Sequence, residues 1–326
     1  MRFLLRRVIF YLVTAWAALT INFLLPHLMP GSPLQAALDR LQGTVSPGAV
    51  KALAAQFGID TKAGLFSQYG RYWSHLFAGD LGVSTSEYPT RVTTIIAHTL
   101  PWTIGLVGVA SLISFVLGTA LGVLVAWRRG SKLEALLPIS TFLSAVPYFW
   151  LGLILVTVFG VSLHWLPFYG GYAQGVTVGF SWSFISSAIS HGALPAVTIV
   201  IASVAGWMVG MRNMMLTTLG EDYVLVAQAK GLSTRRVALT YAARNAILPN
   251  LAGFALQLGF VVAGSLLTEI VFSYPGIGYT LLNAVTSDDY PLMQGIFLVI
   301  TLVVLLANFL ADLLYVILDP RTRQEA

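Results

Sequence analysis

Two acids, Glu269 and Asp312, stand inside or near stretches that are otherwise apolar. A carboxylate in such a setting is costly, so it faces a partner group, an aqueous cavity or a transported cation. Glu269 is read as a group that holds the amino end of a solute or borders an outer gate. A hydrogen-bonded group between helices is the alternative for both acids. Asn22, Gln257 and Asn308 are weaker cavity candidates on the same logic. Other chemistries lack their residues. No Gly-Lys dipeptide occurs, so the phosphate-cradling loop of an ATP-hydrolysing motor is missing. The histidines His27, His75, His98, His164 and His191 never fall in HExxH spacing, no serine sits in a GxSxG turn, and there is no cysteine for thiolate or metal chemistry. The chain is expected to be no enzyme, with no metal and no cofactor of its own.

Residues 220–249 carry a mechanical pattern in place of a chemical one. Glu221 and Asp222 favour a helix start, because carboxylates complement its exposed amides and positive dipole end. Residues 223–230 then make about two turns. Gly231 fits a left-handed stop, with Leu232 folding back over Val226 or Ala227. Ser233 or Thr234 opens a second helix that runs towards Pro249. Ala227, Ala229 and Gly231 leave one side of the first helix smooth, Tyr223 and Leu225 add bulk, Lys230 ends it, and Arg235 and Arg236 beyond the turn are read as anchoring it at the membrane surface. That pattern suits docking into a groove on another protein; a helix lying at lipid headgroups is the other reading.

The elements that position this loop are membrane spans. The chain has 326 residues, 57% hydrophobic and 10% charged, against roughly a quarter charged in soluble domains. Apolar runs long enough for a hydrocarbon core of roughly 30 Å cover residues 8–29, 101–127, 135–163, 193–216, 251–272 and 293–318. The first resembles a secretory signal, with Ala15, Trp16 and Ala17 as a small triplet, but its apolar character continues to Leu25, as in a retained span. The expectation is an all-α integral membrane protein with six transmembrane helices. Its net charge of +5 does not report nucleic acid, because the basic residues outside the long loop at 31–99, where Arg40, Lys51, Lys62, Arg71 and Arg91 carry little weight, cluster in alternate connections. They precede the first run (Arg2, Arg6, Arg7), follow the second (Arg128, Arg129, Lys132), lie at the end of the fourth or after it (Arg212, Lys230, Arg235, Arg236, Arg244), and end the chain (Arg321, Arg323). The positive-inside rule puts both termini and residues 220–249 in the cytoplasm.

Three regions follow: residues 1–30 with the first span, an external loop at 31–99, and a five-helix core at 100–326. Within the loop, Ser32 and Pro33 with a stop at Gly43, Ser46 and Pro47 with a stop at Gly58, and residues 66–77 ending at Gly79 predict short helices lying on the outer membrane surface or covering a mouth. The pairs Gly118/Gly122 and Gly206/Gly210 predict close helix packing. Pro138 and Pro147 are expected to bend the third span.

The segment EDYVLVAQAKGLSTRRVALTYAARNAILPNL resembles the cytoplasmic signature loop of ABC importer permeases, in the version of the dipeptide, oligopeptide and nickel group. Ala227 and Gly231 match its small alanine and glycine, and Ile247, Leu248 and Pro249 its closing Ile-Leu-Pro. Further matches are Leu5, Arg6, Arg7, Pro30, Gly31 and Pro33; Gly79, Asp80, Leu81, Gly82 and Ser84; and Ser144, Pro147, Phe149, Trp150 and Gly152. His191, Leu194 and Pro195, the stretch TEIVFSYPGIG with Asp289, Tyr290 and Pro291, and finally Asp319, Pro320 and Arg321 complete the series. Ser32, Leu225 and Gln228 depart from the pattern. The resemblance implies a permease subunit of the prokaryotic plasma membrane that works with a second related permease, two ATP-binding subunits and an external solute-binding protein. ATP and Mg would be held by those partner subunits. The loop around 220–249 would be the coupling helix seated on them, and peptides the cargo, with nickel or another small solute as the rival. An ion-coupled transporter working through Glu269 and Asp312 is the competing class.

Overall fold

The computed structural model describes residues 2–28, 64–259 and 266–318. Among the described residues the chain is helical, and its extended segments meet only in an isolated bridge between Val83 and Arg91. In chain order the helices are α1 (Arg2–Leu28), α2 (Leu65–Phe77), α3 (Val92–Trp127), α4 (Leu136–Ala145), α5 (Tyr148–Leu155), α6 (Trp182–Thr218), α7 (Asp222–Ala229), α8 (Arg244–Gly259), α9 (Leu266–Val271), α10 (Ile277–Thr286) and α11 (Tyr290–Leu318). α5 continues as π-helical turns over Val156–Ser162, and Thr234–Arg236 with π-helical Val237–Ala243 leads directly into α8. A helical chain is what a bilayer selects, since each backbone donor and acceptor must find its partner within the segment.

Among the described residues four stretches are long and apolar enough to cross a membrane: Arg6–Leu25, Val92–Trp127, Trp182–Thr218 and Tyr290–Leu310. The pair Lys132–Ala145 and Tyr148–Ser162 is apolar enough when taken together and is bent by 98°, as in a broken span or a re-entrant loop. The expected span at 251–272 is divided between α8 and α9, and residues 260–265 lie outside the described residues. So do the loop helices expected around Ser32 and Ser46 and the chain end at Asp319.

Of the two prolines expected to bend the third span, only Pro147 does so. It follows Val146, whose backbone is extended, and it heads α5, as the clash between a proline ring and the preceding residue requires. Pro138 is the third residue of α4, inside a first turn where no backbone donor is needed. α6 also starts earlier than expected. The Ser181 hydroxyl accepts a hydrogen bond from the Phe184 amide at 3.2 Å and caps a helix of 37 residues, about 55 Å long at about 1.5 Å per residue.

The chain forms two compact units, Met1–Trp102 with Gly276–Leu305, and Thr103–Pro275 with Leu306–Ala326. In the first, Asp289 is fully buried at the start of α11. Its carboxylate accepts hydrogen bonds from the Ser84 hydroxyl, the Ser86 amide at 2.9 Å, the Ser86 hydroxyl at 2.6 Å and the Leu292 amide at 3.1 Å. That set of donors compensates a charge removed from water and pins residues 84–86 to the head of α11. A β-carbon at Gly295 would collide with Val92, so α11 and the start of α3 also touch closely.

In the second unit α3 and α6 approach through glycine. A β-carbon at Gly118 would lie 2.6 Å from the Val204 carbonyl, and one at Gly122 would lie 2.6 Å from the Met208 carbonyl. Gly210 is covered by the Asn250 side chain, 2.9 Å from such a carbon, whereas Gly206 has open space beside it. The equal spacing of the two glycine pairs thus hides two different roles. Gly122→Val is expected to lower the stability of the detergent-solubilised chain by about 1–3 kcal/mol through overpacking against backbone, while Gly206→Ala, inside a helix and beside open space, does not lower its thermal midpoint; a thermal melt followed by size exclusion reads both.

Candidate functional site

The helical elbow built by α7 is closed by the hydrogen bonds of a glycine-terminated helix. The Leu232 amide donates to the Ala227 carbonyl at 3.3 Å and the Gly231 amide to the Gln228 carbonyl at 2.9 Å. Gly231 sits at φ +72°, the left-handed region that a side chain disfavours. Glu221 stands at the N-cap with an extended backbone, and its carbonyl accepts from the Val224 amide at 3.0 Å; its side chain makes no capping bond. Asp222 opens the helix itself, where its charge meets the dipole.

α7 buries one narrow side. Val224 and Ala227 pack with Val237, and Trp127, Leu219, Leu232 and Tyr241 close around them. The elbow is therefore seated on the C-terminal ends of α3 and α6. Ala227 is small because it is enclosed by its own chain, so it is no part of the smooth outer surface expected for it. The second helical stretch also runs through Pro249 to Gly259 instead of ending near it, so the elbow is continuous with the next expected span. Tyr223, Leu225, Val226, Gln228, Ala229 and Lys230 are exposed. The Tyr223 hydroxyl accepts from Asn245 Nδ2 at 3.0 Å, tying α7 to α8.

A cleft of about 400 Å³ opens among α4, α5, α6 and α8, lined by Ser144, Tyr148, Ser203, Trp207, Asn250 and Gln257. Gly206, with no side chain, leaves part of its wall bare. The Trp207 ring stands edge-on to Phe115 at 5.2 Å and Phe254 at 5.9 Å, which holds it in place. Asn250 Nδ2 donates to the Trp207 carbonyl at 3.2 Å. Of the residues offered for a cavity, Gln257 is in this lining. Glu269 is not among the lining residues: it is fully buried in α9, and its carbonyl accepts from the Tyr274 amide at 2.8 Å. Burial, and after it the charge of Glu269, push the Tyr274 phenol up to about 12. Asn308 and Asp312 are half-buried on α11. Asn22 is buried on α1, where its Nδ2 donates to the Gln294 carbonyl at 3.0 Å and its Oδ1 has no protein partner. Asn250 and Trp207 were not singled out from the sequence; the available signal was a polar residue directly after Pro249 in an apolar run.

Membrane-length helices, a polar cleft among them and a protruding helical elbow define a helical membrane protein of the permease class. Residues 118–324 match the family described as binding-protein-dependent transport system inner membrane component. The di/tripeptide transport system permease protein DppB of Pseudomonas aeruginosa is 37% identical, with 99% of each chain covered. The dipeptide transport system permease protein DppB of Escherichia coli K12 is 32% identical over 100% of this chain and 99% of its own. The oligopeptide transport system permease protein AppB of Bacillus subtilis is 29% identical, covering 98% of both. This chain belongs to the family of binding-protein-dependent transport permeases of the inner membrane.

The burial pattern of α7 separates two alanines that look alike in the sequence. Ala227→Leu is expected to raise amide hydrogen exchange across residues 222–232, because the larger side chain has no room beside Val224 and Val237. Ala229→Leu, on the exposed side, should leave that exchange unchanged.

Proposed function

We propose that the chain is the membrane-spanning subunit of an ATP-driven importer of peptides, from dipeptides to oligopeptides. Six spans cross the membrane with both termini in the cytoplasm. The cleft bordered by Trp207, Asn250 and Gln257 is this subunit's half of the translocation path. A second, related permease supplies the other half, an external solute-binding protein delivers the peptide, and two cytoplasmic subunits bind ATP with Mg and hydrolyse it.

The observation that carries the reading is the elbow. Its inner side is locked onto the ends of α3 and α6, and its outer side presents Tyr223, Leu225 and Val226, each 41–52% exposed. An apolar helix face left open at the end of a span, on the side expected to be cytoplasmic, fits a groove on an ATP-binding subunit. Because the packing below it is dense, a push on α7 reaches α6, which carries Trp207, without an intervening flexible joint. The names of the full-length relatives support peptides as the cargo.

Gly231→Asp tests the coupling role. A side chain at this left-handed position costs roughly 1–3 kcal/mol, enough to disturb the elbow and not the spans. The variant should insert into the membrane normally, fail to co-purify with ATP-binding subunits, and lose peptide uptake in a peptide-dependent growth assay. Normal uptake by Gly231→Asp would sink the assignment.

A further inference from the structure

α2 sorts its residues onto two sides. At 100° per residue, Leu65, Phe66, Tyr69, Tyr72, Trp73, Leu76 and Phe77 fall on one arc of roughly 140°, and Ser67, Gln68, Gly70, Arg71, Ser74 and His75 occupy the remainder. A helix of a soluble core would bury such an arc in protein, yet α2 has no buried residue. α1 takes only one shoulder of it. The Tyr69 and Tyr72 rings lie 5.2 and 5.5 Å from Phe23. The Tyr69 and Thr20 hydroxyls are 2.8 Å apart, and Tyr72 accepts from Asn22 Nδ2 at 3.4 Å. The other shoulder projects outward, with Phe66 93% and Phe77 83% exposed.

The contacts with α1 also set the depth of α2. The apolar stretch of α1 ends at Leu25. Thr20 and Phe23 lie about 7.5 and 3 Å short of that end along the axis. Interfacial helices immerse their apolar faces by about 5–10 Å, and Tyr and Trp are the side chains enriched at that level. We propose that α2 is an interfacial helix: it lies in the lipid–water boundary at the Leu25 end of α1, with Phe66, Trp73 and Phe77 among the acyl chains and Arg71 and His75 towards headgroups and water. The bilayer is the occupant because α2 is held against the last two turns of the apolar stretch of α1, where the neighbouring Ile21 and Leu24 are themselves 62% and 40% exposed. The inference rests on α1 being a membrane span, part of the function proposed above.

The chain contains no cysteine, so single nitroxide labels can be placed without removing other thiols. Phe66→Cys, Phe77→Cys and Ser74→Cys are made in the full chain, with Phe10→Cys on the exposed side of α1 as the marker of the span. The protein, with whatever subunits accompany it, is placed in vesicles of phosphatidylethanolamine and phosphatidylglycerol. Relaxation of each label by oxygen, which partitions into lipid, is compared with relaxation by water-soluble chromium oxalate. Labels at 66 and 77 should respond several-fold more strongly to oxygen than to the chelate, with the order reversed at 74. Labels at 66 and 77 that respond to the chelate as 74 does, or that are shielded from both reagents by protein, overturn the proposal. With the Phe10→Cys label in lipid, such a result removes the interfacial helix alone; a chelate-accessible label at 10 removes the span and, with it, the proposal.

Discussion

The backbone contact between α3 and α6 at Gly118 and Gly122 is the constraint on which the larger unit depends. Inside a bilayer, apolar side chains gain little by leaving lipid for protein, so helices stay together through close packing. Two absent β-carbons bring α3 against the Val204 and Met208 carbonyls of α6. From that line of contact the rest follows along α6. One turn sets Trp207 against Phe115. The next turns carry Met211 and Met215 into a cluster with Ala126, Ala242 and Ala246. The end of the helix hands Leu219 to the elbow. Cleft and elbow are thus two stations on one rod, and the contact with α3 fixes the rod.

The features that could be read from the sequence are those written locally. The stop at Gly231 and the fold-back of Leu232 are set by residues that touch their near neighbours, and both occur as expected. Membrane helices were legible because apolar length is itself the signal. Features that depend on distant partners were not. Gly206 and Gly210 share the spacing of Gly118 and Gly122, yet only the helix packed beside each, α6 for Gly118 and Gly122 and α8 for Gly210, decides which glycine is covered. Ala227 was read as a smooth outer residue because its type fits a docking surface as well as it fits a crowded interior; Val237, ten residues on, is what encloses it. Pro138 and Pro147 differ in effect through their place in a turn, which the apolar run containing both does not display.

The acids show the same division. Attention to carboxylates inside apolar runs pointed to Glu269 and Asp312. Asp289 stands outside any run, yet it is completely enclosed, because Ser84 and Ser86, some two hundred residues earlier, supply the donors that make burial tolerable. The motifs around Gly82 and Asp289 are separate fragments of the family pattern in the sequence. Their hydrogen bonds explain why the two fragments occur together: one holds the other's charge.

The side chains named for the cleft lining, Ser144, Tyr148, Ser203, Trp207, Asn250 and Gln257, carry no formal charge at neutral pH. A wall of this kind acts on a passing solute through dipoles and ring faces, whose pull falls off faster with distance than that of an ion. A charged solute placed beside these six side chains would meet no counter-ion among them. On the proposed reading, this subunit's half of the path sorts no cargo by charge, and such sorting falls to the half supplied by the second permease or to an earlier step.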